Sequence, residues 1–467
     1  MFVKQFVDEG LGNSSYLIAS EETGLAAVLD PQRDVDRYLQ VAEGLGLRLV
    51  YTLDTHLHND FVSGSRELAV QAGIQVGASA EAEVSFEHLP LQDRDVIQLG
   101  DLSIRVLATP GHTPEHISFS LTEAGKEAPS ALFTGGALMV GGAARTDLLG
   151  VGLAEPLARQ LYHSIHHKLL QFPDDVAVHP THGAGSFCAA PAVSDRSTTI
   201  GRERLWNPLV QAFEETDFVH QALSGLPSYP TYFKHLRRVN QNGPKLLGGL
   251  PILKPLPPEA LVREMAQGVA VLDTRSPQAF TAGHIPGSFG IPLGAPLVTW
   301  AGWVIPFGTP LILVVDHPAE REAAIRQLIR IGYDDLRGYL EGGLSAWETA
   351  GQPVARVPRM PVEELVRRLE GVEAPAVIDV RFESEWRAGH IPGAIHIEAG
   401  RLPAEELSVP KDQLTVVHCG HADRSTVGLS LLERRGYRNL ALLEGGFVAW
   451  NEAGYPVLGH EAPREGS

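Results

Sequence analysis

Short apolar runs recur through the first half of the chain, separated by glycine, proline and acidic residues. "YLIA", "AAVLD", "LRLVYTL", "SIRVLAT", "ISFSL", "ALFTG" and "VAVHP" have the length and aliphatic content of strands. Two longer segments, "DVDRYLQVAEGLG" and "EPLARQLYHSIHHKLLQF", repeat apolar positions every three to four residues and predict amphipathic helices. Many short strands with few helices predict, over residues 1–245, a layered sandwich of mixed sheets with helices outside.

Past that point the rhythm changes. "GGLPILKPLPPEAL" (248–261) and "GQPVARVPRMPVEEL" (351–365) are proline-rich and mark joints. Between and beyond them the chain repeats itself: "VLDTRSPQAFTAGHIPGSFGIPL" begins at Val271 and "VIDVRFESEWRAGHIPGAIHI" at Val377. "GYDDLRGYLEGGLSAWETAG" is echoed by "GYRNLALLEGGFVAWNEAG". Each copy has the size of a compact domain, about 100 residues. Apolar runs alternate with helical patterns such as "EELVRRLEG", so both copies, 259–355 and 359–460, predict α/β domains with mainly parallel sheets.

Composition narrows the function classes. At 467 residues, 44% of them hydrophobic and 20% charged, the chain builds several ordinary globular cores. A net charge of −18 argues against nucleic acid and anionic membranes as partners. No apolar stretch reaches membrane-spanning length, and "MFVKQFVDEG" lacks the apolar core of a signal peptide. Two cysteines exclude a disulfide framework and fit a reducing cytoplasm. A homo-oligomer stays open.

Two stretches carry chemistry. "THLHNDF" follows a strand and sets His56, His58 and Asp60 at alternate positions, which turns them to one side of an extended segment. His112 in "GHTPEH" and His182 in "HPTHGAG" sit in similar strand–loop contexts, so a metal centre is expected. The second stretch is "VVHCGHADRSTVGLSLL": strand, tight loop, helix. Cys419 opens the loop, Gly420, His421, Ala422 and Asp423 follow, and Arg424 closes it. A loop curled over a helix N-terminus stabilises a thiolate, which points to a reactive Cys419 rather than a packed one. The first copy reads "VVDHPAER" at this place, with Asp316 and Arg321 but no cysteine; a carboxylate cannot replace a thiolate nucleophile, so that copy is expected inert, a spacer or docking surface.

The repeated "AGHIPG", the Asp-x-Arg after the first strand, the Cys-x4-Arg loop and "EGGFVAW" resemble rhodanese domains, which carry sulfur as a cysteine persulfide. A related phosphatase loop would need five residues between Cys and Arg. "THLHNDF", "GHTPEHISF", "GRERLWNPL" and "YPTYFKHLRRVNQNG" resemble the metallo-β-lactamase superfamily, on its persulfide dioxygenase branch. That resemblance implies an αββα sandwich and one Fe(II) held by His56, His112 and an aspartate of a Thr-Gly-Asp turn. Here the turn reads "FTGGALMV", with Gly136 in place of the aspartate, and Phe61 replaces a second histidine. Without that oxygen ligand, His58 is expected as the third imidazole, with Asp60, His182 or Asp147 as substitutes, and Zn²⁺ suits such a site as well as iron.

By that resemblance Arg145 contacts an organic thiol, although it is equally placed to pair with Asp147. His163 and His167 on their helix read as a solvated face, Cys188 as a packed small residue, and His116 as a support for His112. The implied function is oxidation of a small-molecule thiol persulfide to sulfite, coupled to sulfur transfer among persulfide, sulfite and thiosulfate on Cys419. The alternatives are a rhodanese with a degenerate metal domain, a glyoxalase II-like thioester hydrolase, and a non-enzymatic sulfur-carrier platform.

Overall fold

Alternation along single strands decides how the first region is layered. In the strand Asn13–Ala19, Tyr16 and Ile18 enter one apolar cluster while Leu17 and Ala19 enter another on the opposite face. In Leu25–Leu29, Ala27 and Leu29 join the first cluster and Ala26 and Val28 the second. A strand buried on both faces needs a second sheet on one side and helices on the other. The computed structural model, which describes residues 1–188 and 194–459, supplies both. The last residue of the domain expected over 359–460 lies outside the described residues.

Contacts divide the chain into two units, Met1–Pro251 with Ile329–Gly332, and the remainder. The first unit holds two six-stranded sheets. One runs in chain order from Phe2–Asp8 to Leu89–Leu91 and the other from Val96–Leu99 to Thr198–Thr199, each strand pairing with its sequence neighbour. Their inner faces share a core that includes Tyr16, Leu53, Ile104, Phe119 and Phe133. Helices Asp36–Gly44 and Ser65–Ala72 cover one outer face through Tyr38 and Leu68. Helix Val151–His167 covers the other through Ala158, Leu161 and Ile165. This is the αββα sandwich.

The second unit contains two five-stranded, all-parallel sheets with matching strand order. In the first copy Ala270–Asp273 lies between Phe289–Gly290 and Leu311–Val314; in the second, Ala376–Asp379 lies between Ile395–His396 and Thr415–His418. Parallel pairing demands a crossover after each strand, and the amphipathic segments seen in the sequence provide it, including Pro318–Arg330 and Asp423–Arg434. The copies differ after the edge strands Phe289–Gly290 and Ile395–His396: the first carries a ten-residue helix, Ala295–Val304, and the second only the short turn Ala399–Arg401. Among the described residues no helix is long and apolar enough to cross a membrane.

Candidate functional site

Three strands of the sandwich end where polar loops begin. Arg48–Leu53 leads into the loop carrying His56 and His58, Leu102–Ala108 into the loop with His112, and Ala177–Pro180 into Thr181 and His182. All four histidines are buried. The rings of His56, His112 and His182 converge, with centroids 4.8 Å (56–112), 5.3 Å (56–182) and 5.3 Å (112–182) apart. The segment "YFKHLRRVNQNG" clamps the first loop: Tyr232 donates to the Asp60 carbonyl at 2.7 Å, and Asn240 to the His58 and Phe61 carbonyls at 2.8 and 2.9 Å. Arg237 grips Glu115 bidentately at 2.8 Å, and Glu115 accepts the Leu57 N–H at 3.0 Å.

The hydrogen bonds assign each imidazole the same tautomer. Thr55 Oγ1 spends its proton on Asp30 at 2.8 Å, so at 2.9 Å from His56 Nδ1 it accepts. His112 Nδ1 donates to the Arg145 carbonyl at 2.7 Å. His182 Nδ1 faces only acceptors, Asn13 Oδ1 at 3.1 Å and Asp60 Oδ2 at 3.4 Å. Three Nε2 lone pairs are left. The ligand atoms of these three residues lie within 4.8 Å of one another, and those of His56 and His182 approach to 3.3 Å. His112 Nε2 is buried with no hydrogen-bond partner. Facing lone pairs in a dry site repel unless a cation joins them. The 3.3 Å separation is the edge of a tetrahedron of nitrogens at ~2.0–2.1 Å from a central ion. These residues fit a divalent metal ion.

Electrostatics agree with that assignment. Burial, reinforced by the neighbouring imidazoles, pushes His56 well below its ordinary value, and burial takes His112 down to about 3, so both stay neutral and able to ligate. His58 behaves oppositely. Burial disfavours its charge, yet Asp30, 3.2 Å away, together with Asp54 and Asp60, raises its pKa. Asp30 in turn is held low against its burial by His58 and by bonds from Thr181 and Thr55. Asp30 also sits at φ +48°, a left-handed conformation that few non-glycine residues adopt.

Gly136 explains the absent carboxylate sterically. A Cβ at this position would lie 2.7 Å from His112 Cδ2 and 2.9 Å from Ala144 Cβ. The His112 ring occupies the space an aspartate would need.

In the second unit, Cys419 follows the strand Thr415–His418 and is 2% exposed. The loop's carbonyls turn onto the helix Gly446–Glu452: Phe447 N–H donates to the Cys419 carbonyl at 2.8 Å and Val448 N–H to that of Gly420 at 3.1 Å. Helix Asp423–Arg434, whose first turn leaves N–H groups without intrahelical partners, begins where the loop after Cys419 ends. Arg424 grips Glu385, one of its two bonds being 2.8 Å. Burial opposes both charges, and the pairing still lowers Glu385 and raises Arg424. In the first copy Asp316 is exposed and the Arg321 guanidinium stacks on Tyr339 at 3.9 Å.

Comparison with known proteins agrees with both halves. Residues 8–182 match the metallo-beta-lactamase superfamily model, and 257–350 and 361–453 match the rhodanese-like domain model. Human mitochondrial persulfide dioxygenase ETHE1 is 32% identical over 200 residues, 42% of this chain and 70% of that protein. The hydroxyacylglutathione hydrolase GloC of Haemophilus influenzae is 30% identical over 208 residues, 40% of this chain and 88% of that one. A metallo-beta-lactamase structure from Staphylococcus aureus superposes with a TM-score of 0.66 at 32% identity, covering 73% of this chain and 98% of its own. The chain belongs to the metallo-β-lactamase superfamily, among the persulfide dioxygenase homologues, and carries two rhodanese-like domains.

Within this family member, the structure differs from the sequence expectation at several positions. The sequence offers His58 as the third imidazole beside His56 and His112. The structure puts His182 there and turns His58 Nε2 onto Asp30, with its ring stacked on Phe61 at 4.1 Å. Asp60, offered as a ligand, stands behind His182 and accepts from Asn13 at 2.8 Å. His58, Asp60 and His182 do form a second group within 4.8 Å, but it shares His182 with the first.

Asp147 is bound to Arg145 at 2.6 and 2.7 Å and is not available to the cluster. Arg145, offered as a thiol contact, spends its other bonds on the Phe187 and Pro227 carbonyls and orients His112 through its own carbonyl. His116 accepts the Gly136 N–H at 3.0 Å and stacks on His56 at 5.0 Å. Cys188 is fully buried, and burial beside Asp60 raises its pKa far above a reactive thiol's. Sequence reasoning missed Asp30, Thr55 and Glu385. An aspartate closing the run "AAVLD" was the available signal for Asp30.

Proposed function

We propose that the chain oxidises the persulfide of a low-molecular-weight thiol to sulfite at a single divalent ion held by His56, His112 and His182, and moves sulfane sulfur on Cys419. The balanced reaction is RSSH + O₂ + H₂O → RSH + SO₃²⁻ + 2H⁺. Bound by these residues, the ion, iron by analogy with the persulfide dioxygenases or zinc by donor set alone, would supply open coordination positions for sulfur and dioxygen. His56, His112 and His182 would hold it through Nε2, their Nδ1 protons anchored on Thr55, on the Arg145 carbonyl and on Asn13 with Asp60. Fixed Nδ1 bonds hold the rings in their ligating orientation. Cys419 attacks a sulfane sulfur from the loop beneath Arg424, and the first rhodanese copy, lacking a thiol, takes no part in that transfer.

The convergence of three bare Nε2 atoms in a buried site carries this reading. The test is metal analysis and oxygen uptake on iron-loaded protein with a panel of thiol persulfides. About one equivalent of metal per chain with persulfide-dependent uptake supports it. Less than about a tenth of an equivalent in wild type, or equal metal content in His112→Ala, overturns it. A thioester hydrolase is the second reading, because the group His58, Asp60 and His182 lies beside the first. The shared His182 leaves that group two ligands once the first is filled, fewer than the three protein ligands of a catalytic zinc site.

A further inference from the structure

We propose that Glu385 determines which sulfur donors Cys419 accepts. By pairing with Arg424 it cancels the loop's cation and turns the site toward thiol persulfides and away from dianionic thiosulfate. This inference rests on Cys419 being a sulfur carrier. Arg424 gives both terminal nitrogens to Glu385. Its guanidinium lies over Phe382 at 5.3 Å, and Phe382 is flanked by Trp300 at 5.9 Å and Trp303 at 6.0 Å. A Cβ on Gly420 would be 3.5 Å from Arg424 Nη2, so the paired guanidinium borders the residue that follows the thiol. Arg381, which also acts on Glu385, is itself bound to Asp379 at 2.6 Å. Arg424 is thus paired with Glu385, and the loop's own carboxylate, Asp423, is exposed. In the cysteine-free copy the aligned positions of Phe382 and Glu385 are Ser276 and Ala279. The carboxylate and the ring accompany the thiol.

In the transfer, the Cys419 thiolate forms a bond to the outer sulfur of RSSH. The S–S bond of the donor breaks and its electron pair leaves as RS⁻, giving Cys–S–SH. With thiosulfate the same attack expels SO₃²⁻, so a doubly charged ion must approach the loop. With Arg424 neutralised by Glu385 the loop offers that ion no free cation, while the exposed Asp423 repels it most heavily.

The experiment compares full-length wild type, Glu385→Gln and Glu383→Gln in sulfur transfer from thiosulfate and from glutathione persulfide, at low and high salt. The amide introduced by Glu385→Gln keeps an acceptor oxygen for the Phe382 N–H that Glu385 now caps at 3.1 Å. Glu383 pairs with Arg387 and His396 and does not touch Arg424, so its variant removes equal charge from the same helix. Expected for Glu385→Gln is a thiosulfate KM lowered about tenfold, kcat changed less than about threefold, and persulfide KM changed less than about twofold. Added salt should lower the thiosulfate KM of wild type and not of that variant. Equal changes for both donors, an unmoved thiosulfate KM, or the same selectivity shift in Glu383→Gln overturns the proposal. A wild type no better than Cys419→Ser with either donor refutes the sulfur-carrier reading itself, and this inference with it.

Discussion

The His112 ring is fixed from two sides, by its Nδ1 bond to the Arg145 carbonyl and by the bare backbone of Gly136 beneath it. Introducing an aspartate with Gly136→Asp should therefore lower metal content rather than raise it. Forcing a side chain into the ring's space costs ~1–3 kcal/mol in overpacking, read as a lower Tm in the metal-free protein. The neighbouring His58–Asp30 pair gives a pH signature. His58 has a raised pKa, so its contribution is complete at low pH and is lost as pH rises through that raised value. Asp30 has a lowered pKa, so its contribution is present above the ordinary carboxylate range and is lost as pH falls through the lowered value. Both act together between roughly pH 4 and 6.5. The Tm gap between metal-free wild type and His58→Gln is expected to be wider at pH 6 than at pH 9. A constant gap would contradict the ion pair.

Among the elements, the short helix Gly446–Glu452 has the largest hold on the thiol loop. Gly446 sits at φ +59°, and a Cβ there would meet the Cys419, Gly420 and His421 carbonyls at 2.5, 2.6 and 2.7 Å. Gly446→Ala should cost ~1–3 kcal/mol through the left-handed backbone alone. It should also push the helix off the loop and depress sulfur transfer at least about tenfold, with metal content unchanged. The "EGG" of both copies was visible in the sequence as a repeat; that its second glycine admits three carbonyls was not. The strands and two helices written in the first region's hydrophobic pattern all form, Asn13–Ala19, Arg48–Leu53 and Ala131–Gly135 among them. The strands Phe2–Asp8 and Val96–Leu99 escaped notice because exposed residues interrupt them: Lys4 and Val7 in the first, Val96 and Gln98 in the second.

For the whole molecule, each of the two centres is built from residues of a single unit. The proposed metal ligands His56, His112 and His182 lie in the first; Cys419, Arg424 and Glu385 belong to the second. Their losses should separate. Cys419→Ser is expected to keep wild-type metal content and persulfide-dependent oxygen uptake while losing sulfur transfer. His112→Ala should lose metal and uptake while transferring sulfur within about twofold of wild type. Parallel loss of both activities in either variant would contradict independent centres.

Sequence alone determined the sandwich, the duplicated α/β domains, the strand–loop–helix at Cys419 and the two buried histidines at 56 and 112. These are local facts: period along a strand, a repeated motif, a thiol at a strand end. Tertiary structure decided that His182 and not His58 completes the imidazole cluster, that Arg145 serves Asp147, and that Glu385 neutralises Arg424. Each of those choices depends on which of several polar groups, distant in the chain, burial forces to share a hydrogen bond. No spacing in the sequence records that competition.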